Sequence, residues 1–572
     1  MAPLDTEQSL ARHHQDIERI PRGLLQNQRD GSAPAAASKL PPEILALIFH
    51  EVVELYGASS KASRRREWMV FTFVCRTWRE VALHIPDLWD HLILHHRNEE
   101  QLSEFLKRSG QVPLVVVQPD IKGLSSELPT EILQLMLSCL YRTADLACLI
   151  TPKLLEIPGM AALHAPLLQS LDAVVIVPPC ETSFPIVSNA SWPVLCALNC
   201  RTPSVHFLQA MLRPTLTSLT IHHMPIPQPS TIWVPLLQQL PNLEALWLHN
   251  AIARRSDVPS ARHEPSQTVT LSDLQWLTLE AEGSGTGVAE LLRCLVLPNE
   301  CNMSLEGLYS EEMGDDDIHC VVAALATKGR GIGILGSPQP VHFVCVDFLY
   351  VKGESGGFQI RVYTEDISMV ETIQAGRYFP PNDIYPHVTL GFYASWDEGS
   401  SVLSNFCVSY PLSDTHVFRF HNIFSMNQDA LMPVAQTQSV RELDIRYSDD
   451  TLLAFLNTLK KPAAFPNLEW VVCRGFKWNR CHTKEIKKDC RAGSFMLQLI
   501  EALETRREHG LPAIKTLMLE DGVNLDVHGT LAQDTARLTE LVEEFTYTVS
   551  DRRDVEYDSS GECSGSDEGL AS

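Results

Sequence analysis

Cys473, Cys481, His482 and Cys490 are metal-capable side chains within one short span. Structural zinc is held by close pairs such as Cys-x2–4-Cys, which fix two ligands on one turn. The spacings here supply no such pair, so ordinary buried or free thiols are expected. The same span is locally basic. Arg474, Lys477, Arg480, Lys484, Lys487, Lys488 and Arg491 stand against only Glu485 and Asp489, with Trp470, Phe476 and Trp478 interleaved. One reading is a docking patch for an acidic or phosphorylated partner. The other, commoner for a charge run, is a solvated loop and helix face.

Gly331-x-Gly333-x-x-Gly336 matches a dinucleotide fingerprint as text. The chemistry requires a strand before the glycines and a helix after them, so that the helix N-terminus meets the pyrophosphate. Here a helical pattern precedes and Ser337-Pro338-Gln339-Pro340 follows, so a helix C-cap and turn are expected. No Gly-x-Ser-x-Gly elbow, His-Glu-x-x-His pair or phosphate-binding Gly-x4-Gly-Lys-Ser/Thr loop occurs. The expectation is a protein without catalytic residues, cofactor or metal.

Composition narrows the class. The chain has 572 residues, 45% hydrophobic and 20% charged, which suits a globular fold. Lys and Arg number 46 against 70 Asp and Glu, a formal net charge of −24. A non-specific nucleic-acid binder needs the opposite sign. The 15 cysteines are scattered with no Cys-x-x-Cys pair, which points to a reducing compartment, cytoplasm or nucleus. The first twenty residues lack the apolar core of a secretory signal, and no run of 18 apolar residues suggests a membrane span.

The elements come next. Residues 1–38 are polar and end in small residues, a flexible leader. LPPEILALIFHEVVEL, from Leu40, places Ile44, Ile48 and Val52 on one row with Leu45, Phe49 and Val53 beside it. That spacing predicts an amphipathic helix with proline in its first turn. WMVFTFVCRTWREVALHIPDLW predicts a second helix, with Val70, Val74 and Trp78 on its stripe, stopped before Pro86. LPTEILQLML at Leu128–Leu137 reads as a helix of the following domain.

These segments together resemble the F-box. The matching residues are Leu40, Pro41, Pro42, Glu43, Ile44, Leu45, Ile48 and Phe49, then Val74, Cys75, Arg76, Trp78 and Arg79, then Leu88 and Trp89. The spelling is similar to the large F-box families of mushroom-forming fungi. It covers residues 39–94, and its loop from Glu54 to Glu67 is longer than the compact pattern. The resemblance implies that Leu40, Pro41, Ile44, Leu45, Ile48, Phe49, Val74 and Trp78 bind a Skp adaptor.

From residue 95 to 549 a loose L-x-x-L-x-L unit recurs. It is spelled by Leu195, Leu198 and Cys200, by Leu216, Leu219 and Ile221, by Leu243, Leu246 and Leu248, and by Leu274, Leu277 and Leu279. Later come Val440, Leu443 and Ile445, then Leu468 with Val471, then Ile514, Leu517 and Leu519. The period fits irregular leucine-rich repeats, each a short strand with a helix packing over it. Helical stretches are expected at Leu236–Leu240, Val288–Leu295, Ile318–Thr327 and Thr451–Leu459, with another over Gly529–Val549 capping the array. Residues 340–440 are strand-like and fit either longer strands of the same array or a separate β insertion. The Ser- and Gly-rich acidic stretch 550–572 reads as a disordered tail.

The expected fold class is α/β: a small helical N-terminal unit followed by a curved parallel sheet with outer helices. By resemblance, such a chain is the substrate receptor of an SCF-type ubiquitin ligase. The adaptor would link it to cullin and RING subunits, and the repeats would hold a protein substrate. The alternative is a repeat scaffold without a ubiquitylation role.

Overall fold

The computed structural model describes residues 40–57, 69–94, 99–119, 128–151, 154, 164–176, 192–253, 267–280, 285–309, 315–349, 357–364, 386–393, 396–421, 428–446, 449–474, 495–522 and 531–549. The expected leader 1–38 and tail 550–572 lie outside them. The chain forms two compact units, Met1–Leu195 and Cys196–Ser572. Among the described residues no helix is long and apolar enough to cross a membrane.

In the first unit, α1 (Pro42–Gly57) is followed by α2 (Phe71–Val74) and α3 (Arg76–Leu83). The single helix expected from Trp68 onward is broken at Cys75, whose φ of −158° is extended backbone. The Cys75 carbonyl instead opens α3 by accepting from Arg79 N–H at 3.0 Å. A 3-10 turn, Pro86–Trp89, leads into β1 (His91–Ile93). Then come α4 (Glu99–Arg108), β2 (Leu114–Val117), α5 (Thr130–Cys139), β3 (Thr143–Ile150) and β4 (Ser170–Val175). The strands pair in parallel from β1 to β4. The domain boundary expected at residue 94 is therefore not a break between compact units. Strand β1 already belongs to the sheet of its unit, because its His91–Ile93 backbone pairs with Val115–Val117.

The second unit opens with β5 (Ala197–Arg201), α6 (Val205–Met211), β6 (Ser218–His222), α7 (Ser230–Leu237) and β7 (Ala245–His249). Next are β8 (Val269–Thr270), β9 (Trp276–Glu280), α8 (Gly285–Cys294), β10 (Leu295–Pro298), β11 (Asn302–Tyr309), α9 (Asp315–Gly329) and β12 (Ile334–Leu335). Strands β13 (Phe343–Leu349), β14 (Gly357–Tyr363) and β15 (Val388–Tyr393) follow. After them the alternation resumes with α10 (Trp396–Ser409), β16 (Val417–His421), α11 (Gln428–Gln436), β17 (Glu442–Arg446), α12 (Asp449–Leu459) and β18 (Trp470–Arg474). The last elements are α13 (Phe495–Glu508), β19 (Thr516–Gly522), α14 (Leu531–Leu541) and β20 (Glu544–Val549). From α7 to α14 each helix packs on the next.

The repeated leucines become rungs of one sheet. Leu198, Leu219, Leu246, Leu277 and Met303 stand in register across β5, β6, β7, β9 and β11. Cys200, Ile221, Leu248, Leu279 and Leu305 form the next rung, and both rungs are almost fully buried. Each such side chain adds about 1.5–3 kcal/mol of burial. Two repeats are led by Pro-Asn-Leu, at Pro241-Asn242-Leu243 and Pro466-Asn467-Leu468, and the Asn has its own role. Asn242 Nδ2 donates to the Pro214 carbonyl at 2.9 Å and Asn467 Nδ2 to that of Gln438 at 2.7 Å, tying each repeat to the one before.

Residues 340–440 join the same sheet, but out of order. Strand β15 pairs in parallel with β11, β14 lies antiparallel to both β15 and β13, and β13 pairs in parallel with β16. The connection explains the reversal. Only residues 350–356 separate β13 from β14. So short a link joins antiparallel neighbours, whereas a parallel return needs a crossover of a dozen residues or more. Beyond β16 the sheet is parallel again to β20. The expected terminal helix is also shorter than its pattern. It stops at Leu541, and Phe545 lies in β20, where it pairs with Leu517 of β19.

Gly331, Gly333 and Gly336 all have positive φ in the turn after α9, as a cap and turn require. The buried Lys328 donates to the carbonyls of Leu295 and Gly333 and so ties this turn to β10. Burial lowers its ammonium to about 8.

Candidate partner-binding face

The first unit carries its helices on an aromatic triad. Phe49 of α1 stacks on Phe71 of α2 with ring centroids 4.5 Å apart and planes 14° from parallel. Trp78 of α3 meets both edge-on, at 5.3 Å from Phe49 and 5.9 Å from Phe71. Arg79 Nε donates to the Thr72 carbonyl at 2.7 Å and fixes α2 against α3. Trp89 ends the segment: its indole N–H donates to the Ala82 carbonyl at 3.0 Å. Its ring meets Phe105 of α4 at 4.8 Å, and the Arg108 guanidinium lies 4.4 Å from its centroid.

This core divides the residues that sequence reasoning grouped together. Leu45 and Phe49 are fully buried and Trp78 is half-buried in the triad, so these three hold the helices rather than face a partner. Leu40 and Ile48 are half-buried and Pro41 is exposed. Ile44 and Val74 are exposed, at 42% and 43%. The structure adds residues that the reading missed. Leu47 is 62% exposed, Val70 46% and Phe73 72%.

Helical geometry explains the division. Leu45 and Phe49 are four apart and share one face of α1, whereas Ile44 and Leu47 are three apart and project from the other side. Phe71 turns into the core, whereas Val70, Phe73 and Val74 are left exposed. The signal that could have found Leu47 and Phe73 is their position beside a filled inward stripe: an apolar residue off that stripe has no internal partner. Exposed apolar side chains scattered singly are ordinary, but grouped ones mark interaction surfaces.

The second candidate, the basic span, resolves differently. Arg474 is buried at the end of β18. Its Nε lies 3.3 Å from Asp444 Oδ1 and its Nη1 3.3 Å from Glu520 Oε2. Arg419 Nε approaches the other Asp444 oxygen at 3.1 Å, and His421 Nε2 stands 3.7 Å from it. Burial pushes the Asp444 carboxyl up, but the His421 ring and the Arg474 and Arg419 charges outweigh it and hold the group below the usual range. Arg474 is therefore a cross-strand ion-pair residue and is not available to an acidic partner. Lys477, Arg480, Lys484, Lys487, Lys488 and Arg491 lie outside the described residues, as do Cys481, His482 and Cys490. Cys473 is buried in β18. Among the described residues no group of three or more His, Cys, Asp or Glu is placed to hold a metal ion.

A third cluster was not foreseen. Arg201, His222, His249 and Glu280 end four neighbouring strands on one rung of the second unit. The two imidazoles stack with centroids 4.5 Å apart, and His249 Nδ1 lies 2.5 Å from Glu280 Oε2. His249 holds the Glu280 carboxyl below its usual range. Desolvation, with the neighbouring His249, Arg201 and His223, lowers His222 to about 4.

No protein-family model and no curated protein matches the chain, so the functional reading rests on how these side chains are arranged.

Proposed function

We propose that the chain is the substrate-recognition subunit of an SCF-type ubiquitin ligase, an F-box protein whose irregular leucine-rich repeats hold a protein substrate. The F-box resemblance spans α1 to the 3-10 turn. The observation that carries the reading is that Ile44 and Leu47 of α1, and Val70, Phe73 and Val74 at α2, are exposed apolar side chains left outside a core already filled by Phe49, Phe71 and Trp78. On this reading that group receives the Skp adaptor, which brings cullin and RING subunits. The chain supplies no reacting group; it raises the effective concentration of substrate beside the ubiquitin-charged enzyme.

The test is binding of a purified Skp adaptor to the full chain carrying Leu47→Ala and Phe73→Ala together. Central apolar anchors cost about 2 kcal/mol each on truncation, so affinity should fall about a thousandfold. Both side chains are exposed, so the melting temperature should not move. Unchanged adaptor binding, or no binding by the wild-type chain, contradicts the proposal.

A further inference from the structure

The opposite face of the sheet from the buried leucines is open over β5, β6, β7 and β9, where its residues, Ala245 excepted, are half-buried or exposed. Its last rung is ordered by charge. It runs Arg201, His222, His249, Glu280 and, on β11, Glu306. A fixed cation therefore stands at one end and two carboxylates at the other, with neutral or carboxylate-paired imidazoles between.

The rung is held in place by its backbone. Thr202, His223 and Asn250, the residues just past β5, β6 and β7, all have φ near +50°. L-residues rarely adopt that conformation. Each turns its N–H onto the rung residue of the next strand: Thr202 onto the His222 carbonyl at 2.8 Å, His223 onto that of His249 at 2.8 Å, and Asn250 onto that of Glu280 at 2.7 Å. At the acidic end Gly307 has φ +68°, and a side chain there would meet Glu280 Cγ at 2.6 Å, so the glycine lets Glu280 lie where it does. Ser304 Oγ donates to Glu306 Oε1 at 2.6 Å. At the basic end Arg201 forms no ion pair among the described residues. On the same face, Trp276 is 38% exposed and Trp247 half-buried.

We infer that this rung is a docking site for an extended protein segment lying across the strands, with an acidic side chain over Arg201 and His222 and a basic one over Glu280 and Glu306. The inference rests on the substrate-holding role proposed for the repeats. Charge complementarity fixes the occupant. Strands lie about 4.8 Å apart, so the poles are about 14–19 Å apart. An extended chain advances about 3.3 Å per residue, so the segment's opposite charges are four to six residues apart. On the same face, Trp247 two residues before His249 and Trp276 four before Glu280 offer flat apolar anchors along the strands. A purely acidic segment would be repelled by Glu280 and Glu306, and a purely basic one by Arg201.

The experiment selects a displayed library of random nine-residue peptides on the immobilised full chain, then measures the enriched peptides against variants. Wild type should enrich peptides with acidic and basic residues four to six apart. Arg201→Glu should weaken them about tenfold and abolish the acidic preference. Glu280→Gln with Glu306→Gln should abolish the basic preference. Adaptor binding, measured on the same preparations, should equal wild type throughout. Enriched peptides without the paired charges, no enrichment at all, or equal binding to Arg201→Glu overturns the site. Peptide selection that fails while the adaptor still binds defeats the site alone. Loss of adaptor binding in the wild type defeats the ligase reading and leaves the site standing.

Discussion

Two stretches of one sheet place charges on the same face at or near the strand ends and treat them oppositely. Across β5 to β9, Arg201, His222, His249 and Glu280 sit at the strand ends on an open face. Across β16 to β18, His421 and Arg474 end their strands and Arg419 and Asp444 lie two residues before the ends of theirs, all on the equivalent face, sealed and 3% exposed or less. They stand beside the buried cluster of Phe343, Cys345, Tyr363, Val417 and Val472. Sealing converts the charges into structure, because a desolvated charge must keep its partner. Exposure leaves them free to meet a ligand, because water screens what remains unpaired. Charges on the same face are thus sealed as a staple at one end and left open at the other, according to what surrounds them.

The largest expected effect is at the sealed end. Asp444→Ala leaves Arg419 and Arg474 without their shared carboxylate and should cost about 3–5 kcal/mol of stability, read from urea unfolding of the full chain. A cost below about 1 kcal/mol would show that the network is not a staple.

A smaller effect is expected at the open end, through pH. His222 titrates near 4 in the folded chain against 6.5 normally. The unfolded chain therefore binds more protons between those values, and stability present at pH 7 is lost as pH falls from about 6.5 to about 4. The ring is half-buried, so solvent screening shrinks the effect. His222→Asn should flatten the change in urea midpoint between pH 7 and pH 5, and an unaltered slope would contradict the stacked, neutral assignment. The smallest effect is Arg201→Ala, which should change stability by no more than about 0.5 kcal/mol, because Arg201 is only half-buried and forms no ion pair among the described residues. A loss as large as that of Asp444→Ala would erase the contrast.

Much of the fold was legible because leucines repeat with the period of the rungs. Leu219, Leu246 and Leu277 announce both strand and register, and Asp449 announces the start of α12. The order of β13 to β15 was not legible, because apolar runs such as FVCVDFL do not record which neighbour they pair with. The break at Cys75 was hidden by an unbroken helical stripe. At the candidate face, Ile44 and Val74 were found from the pattern, whereas Leu45 and Phe49 carry the same pattern and serve the core. Sequence spacing shows that a residue is apolar and on a face; only the packed triad shows which face is already filled. Arg474 looked like one more surface cation, since its partners Asp444 and Glu520 are distant in sequence. Arg506 hid in the same way. It is buried in α13 and donates to the carbonyls of Ala464 and Phe465 at 2.9 and 2.8 Å, holding a turn where both Ala463 and Phe465 have positive φ.

The most direct measurement is hydrogen exchange of the full chain with and without a purified Skp adaptor. The expected result is slowed exchange confined to α1, α2 and α3, residues 42–57 and 71–83, with β5 to β20 unchanged. No slowing at α1 and α2, or slowing centred on the repeats, would contradict the adaptor-binding role.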